Sequence, residues 1–95
     1  MSDETYYAQN PDPEKQGTKI SKAKYDQIHE AIVGALLAQS VMSLKEMTLA
    51  VQSQLDGIFD GSIPWYVTTV KLDMESRGEL ICDRKKSPVA HYLAG

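Results

Sequence analysis

The run 62-SIPWYVTTVKLDMESRGELICDR-84 constrains this chain more than any other. Ile63, Val67, Val70 and Met74 recur at spacings of three and four, the period of one buried helical face. Ser62 is the natural cap, and Pro64 falls in the first turn, where an amide N–H has no partner to lose. Arg77-Gly78 ends the helix, because glycine accepts the left-handed conformation that follows a last turn. Glu79 to Asp83 then reads as a strand, Arg84 to Pro88 as a turn, and Val89 to Leu93 as the partner strand. A two-stranded hairpin does not stand alone in water, so its apolar side must lie on helices.

The preceding residues supply those helices. From about Ser21 to Gln39, Tyr25, Ile28, Ile32, Ala35 and Leu36 share one face. Ser40-Val41-Met42 breaks that pattern and predicts an extended link, suited to lie along the hairpin as a third strand. Ser43-Leu44-Lys45-Glu46 is a capping box opening a helix to about Leu55, with Leu44, Met47, Val51 and Leu55 inward. Asp56-Gly57 closes it, and Ile58 and Phe59 plug the core from the loop. Residues 1–19, with Pro11, Pro13 and Gly17 and no apolar periodicity, predict a flexible tail, leaving residues 20–95 as the domain.

The order of helix, link, helix, helix, hairpin predicts an α+β winged helix-turn-helix domain: three helices and a C-terminal β-hairpin wing. Ninety-five residues suffice for one domain with a modest core. The N-terminus is acidic and polar, unlike a secretory or transit segment, and no apolar run is long enough for a bilayer. The lone Cys82 excludes an internal disulfide and a multi-cysteine metal cage, which points to the cytoplasm. In the strand it reads as a small hydrophobe.

The run GSIPWYVTTVKLDMESRG, with KYDQIHEAI in the first helix, resembles a bacterial family of uncharacterised winged-helix proteins over most of residues 19–84. The shorter VKLDMESRGELI is similar to the recognition-helix end and wing start of MarR-like transcription regulators. These resemblances imply the fold and a regulatory role, and no catalytic residues. The closing SPVAHYLAG departs from the basic wings of DNA-binding relatives.

With residues about 100° apart around the third helix, Trp65, Thr69, Leu72 and Ser76 oppose the core stripe. Arg, Lys, Asn and Gln read base edges best, and none sits at the centre of this face. The net charge is −3, with four acidic against two basic residues in positions 1–19 and nine against eight in the remainder. Two functions follow. A DNA-binding transcriptional regulator, narrowly favoured through the fold, would meet double-stranded DNA through Thr68, Thr69 and Lys71 from the helix. Arg84, Lys85 and Lys86 would touch phosphates from the wing. The alternative is a protein-interaction or homodimerisation module using Trp65 and Leu72, since exposed apolar patches mark protein interfaces. Against it, Trp65 can cover the core near Phe59, and the wing can cover Leu72. Phosphate loops, nucleophile elbows and paired histidine ligands are all missing, so no enzyme, cofactor or metal is expected.

Overall fold

Each helix begins on a serine whose hydroxyl accepts from the backbone N–H three residues on: Ser21 from Lys24, Ser43 from Glu46 and Ser62 from Trp65. In the computed structural model, which describes residues 4–95, these serines open α1 (Lys22–Ala38), α2 (Leu44–Leu55) and α3 (Ile63–Ser76). The capping box at Ser43 is complete, with Glu46 accepting from the Ser43 amide at 2.8 Å. α3 ends in a Schellman turn: Glu79 N–H donates to Met74 and Gly78 N–H to Glu75. Gly78 takes φ 77° there, a conformation that favours glycine.

Two antiparallel strand pairs accompany the helices. β1 (Thr5–Ala8) pairs with β2 (Thr18–Ser21), and β3 (Leu80–Asp83) with β4 (Ala90–Leu93). The architecture is α+β. The 40–42 link, expected as a third strand, contributes a single bridge. Met42 and His91 exchange two backbone hydrogen bonds on the free side of β4.

The core lies where the three helices meet. Ile28 and Ile32 of α1, Met47 and Val51 of α2, and Val67, Val70 and Met74 of α3 are fully buried. Each contributes roughly 1.5–3 kcal/mol relative to exposure.

The expected flexible tail is a hairpin instead. β1 and β2 place Ala8 and Ile20 in the core and continue directly into α1. Met1 to Asp3 lie outside the described residues. Tyr6 packs against the same core from β1, its ring centroid 4.2 Å from that of Tyr25. Polar contacts to α3 add to this packing and define the candidate site.

Candidate functional site

Asp73 projects from α3 and is fully buried. Such a carboxylate persists only when its oxygens are satisfied. Here Tyr6 and Tyr25 both donate hydroxyls to Oδ2, the Gln9 backbone N–H donates to Oδ1 at 2.9 Å, and Arg77 Nε lies 3.2 Å from Oδ2. Arg77 also donates to the Tyr25 hydroxyl and lies over the Tyr6 ring. Farther out it stands 3.7 Å from Glu79, which pairs with His29 at 2.7 Å. Burial pushes the Tyr25 phenol well above the usual tyrosine range. The hydrogen bond to Asp73 and the carboxylate charge add to that rise. The same causes raise Tyr6. One carboxylate thus joins the N-terminal hairpin, α1 and α3.

The clamp has a consequence for the outer face of α3. Ser76 donates to the Gln9 side chain at 3.1 Å, and Thr69 and Leu72 border a crevice with Ala8, Gln9, Gly17 and Thr18. The C-terminal half of that face is therefore covered by the protein's own hairpin. Leu72 is half-buried there, covered by the N-terminal hairpin and not by the wing as one reading had it. Thr68 is half-buried as well.

Lys71, expected on the rim of this face, is turned inward and only 7% exposed. Its Nζ donates to Glu75 at 2.6 Å, one turn along the helix. Its long stem buries readily, and the Glu75 carboxylate compensates its charge. Arg84, Lys85 and Lys86 are exposed at the β3–β4 turn, with Arg84 Nη2 3.7 Å from Glu75.

Trp65 remains open on the N-terminal half of α3, at 46% exposure. Its indole meets Tyr66 edge-on at 4.9 Å, and Tyr66 meets Phe59 edge-on at 5.0 Å. The Phe59 loop also exposes Ile58. The aromatic row holds Trp65 in place without burying it, so a rigid apolar surface faces solvent. The helix period locates Trp65 on this face. Tyr6, Gln9 and Asp73 are clamp residues that the helix period could not identify, because their partners lie more than sixty positions apart. Tyr6-Tyr7 beside Thr18-Lys19-Ile20, divided by a proline-rich turn, is the only local hint. Among the described residues, no helix is long and apolar enough to cross a membrane.

The chain belongs to a family described as "Family of unknown function (DUF6958)", whose profile matches residues 6–91. The matched span takes in most of the N-terminal hairpin as well as all three helices. No curated protein and no solved structure matches the chain.

Proposed function

We propose that this member of a family of unknown function is a winged-helix domain that recognises protein, with Trp65 at the centre of its docking face. The order of α1, a bridged link, α2, α3 and a β3–β4 wing supports the winged-helix reading. The observation that carries the functional reading is the cover on α3. The face that a DNA reader of this type inserts into the major groove is half hidden under β1–β2, and its one lysine is buried against Glu75. Phosphate contacts supply most of the affinity for DNA, and a chain of net charge −3 with that lysine withdrawn is poorly equipped for them. An exposed, rigid tryptophan backed by aromatic neighbours is a frequent anchor of protein interfaces.

A second reading rests on the exposed Arg84, Lys85 and Lys86, which would touch the DNA backbone from the wing, joined by Thr68 and Thr69 of α3. One set of experiments separates the two. The full chain is used as bait and its self-association is followed by sedimentation; both are repeated with Trp65→Ala. Loss of a specific partner, or of the dimer, in Trp65→Ala with an unchanged far-UV spectrum supports protein recognition. Equal capture and equal self-association by the two chains overturns it. Salt-sensitive binding to mixed-sequence duplex DNA that disappears in Lys85→Glu/Lys86→Glu would establish the second reading.

A further inference from the structure

The β3–β4 register sets Cys82 directly opposite His91, so both side chains leave the same face of the wing. Glu75 reaches that face from α3. One ligand-competent atom from each residue lies within 4.8 Å of the others. His91 is 1% exposed, and its Nε2 is a buried nitrogen without a hydrogen-bond partner among the described residues. Its Nδ1 stands 3.1 Å from the Met42 carbonyl. A carbonyl only accepts, so Nδ1 carries the proton and Nε2 presents a lone pair. A metal-binding imidazole takes this form, its second nitrogen anchored on the backbone.

We propose that Glu75, Cys82 and His91 bind a thiophilic divalent transition-metal ion, with zinc the best match. Thiolate and imidazole select such ions over calcium or magnesium, which take oxygen ligands. Zinc bonds of about 2.0–2.3 Å space tetrahedral ligand atoms roughly 3.3–3.8 Å apart, so the trio closes by at most about 1.5 Å. Three protein ligands leave a fourth position for water. Cys82 is half-exposed and gives the ion its way in. On binding, the Cys82 S–H bond breaks, a sulfur–metal bond forms, and the proton passes to solvent.

The neighbouring cations set the charge. Lys71 holds Glu75 Oε2 at 2.6 Å, and Arg84 stands 3.7 Å from Oε1. Thiolate and carboxylate offset the divalent ion, and the Lys71 ammonium leaves the site with one net positive charge. Lys71 stays on one carboxylate oxygen and orients it, while the exposed Arg84 swings out.

The test titrates reduced, chelator-treated full chain with Co²⁺ and then displaces it with Zn²⁺. A thiolate-to-cobalt charge-transfer band that saturates at equimolar metal and is bleached by Zn²⁺ is expected. Cys82→Ser should lose the band and keep its far-UV spectrum. Glu75→Gln should weaken binding by about tenfold or more; it also leaves the buried Lys71 ammonium without its carboxylate, so its far-UV spectrum is read alongside, and Cys82→Ser decides the matter should it or a His91 variant fail to fold. Absence of the band in the wild-type chain, its survival in Cys82→Ser, or undiminished affinity in Glu75→Gln would each overturn the site.

Discussion

The Tyr6 hydroxyl donates to the Asp73 carboxylate at 3.0 Å, across 67 positions of sequence. That contact, with the Gln9 amide on the other carboxylate oxygen, fastens the N-terminal hairpin over α3. Apolar contact adds to this clamp: Ala8 and Ile20 are buried in the core, and the Tyr6 ring packs against it beside Tyr25.

Asp73→Ala strands several donors at once: the Tyr25 hydroxyl, the Gln9 amide and the Arg77 guanidinium. Breaking a buried charged pair by deleting one partner costs about 3–5 kcal/mol, and a loss of that order is expected in urea denaturation. Tyr6→Phe removes one hydrogen bond to a charged acceptor and should cost about 1.5–3 kcal/mol. Hydrogen exchange should tell the two apart. Tyr6→Phe should speed exchange of hairpin amides well before those of α1, whereas Asp73→Ala should weaken protection throughout.

High pH should release the same clamp. Tyr25 and Tyr6 both hold their protons more tightly in the fold than in the unfolded chain. A group with a raised folded pKa contributes stability that is complete below its unfolded value, near 10 for tyrosine, and is lost as pH rises through the folded value. Stability should therefore decline above about pH 10. Tyrosinate absorbance should show a late-ionising fraction among the five tyrosines. Tyr25→Phe should remove part of that fraction and flatten the alkaline decline; an unchanged profile would count against the Asp73 hydrogen bond as its cause.

The helix caps offer a milder test. Ser43→Ala breaks a reciprocal pair with Glu46 and should lower stability by about 1 kcal/mol, read as a shift in urea midpoint at constant slope.

These caps are also why the helices were legible. Ser21, Ser43 and Ser62, the Gly57 and Gly78 stops and the three-four spacing of Val67, Val70 and Met74 are local signals, and the structure uses each of them. The β3–β4 hairpin was legible for the same reason. The N-terminal hairpin was not, because its strands are four residues long and each buries one core residue, while Asp73, which accepts its hydrogen bonds, lies far along the chain. Asp73 and Lys71 read as edge residues of a solvated face. They are buried because the hairpin and Glu75 meet them, and helix periodicity carries neither fact. Cys82 opposite His91 becomes visible only once the strand register is known.

Gly17 offers the cleanest way to lift the hairpin without touching α3. A Cβ at Gly17 would stand 2.2 Å from the Ala8 carbonyl oxygen and 2.8 Å from the Tyr7 ring. The tyrosine can turn aside, but a paired backbone carbonyl cannot yield that far without parting β1 from β2. Gly17→Ala should therefore cost about 1–3 kcal/mol, the range for forced overpacking, with the loss concentrated in residues 5–20. Amide exchange there should rise while the α1–α2–α3 core keeps its protection. The uncovered Thr69 and Leu72 then report on function. If the hairpin masks a DNA-reading face, Gly17→Ala should bind duplex DNA more tightly than the wild-type chain at low salt. If α3 recognises protein through Trp65, DNA binding should stay at background and partner capture should persist, since Trp65 lies outside the covered half.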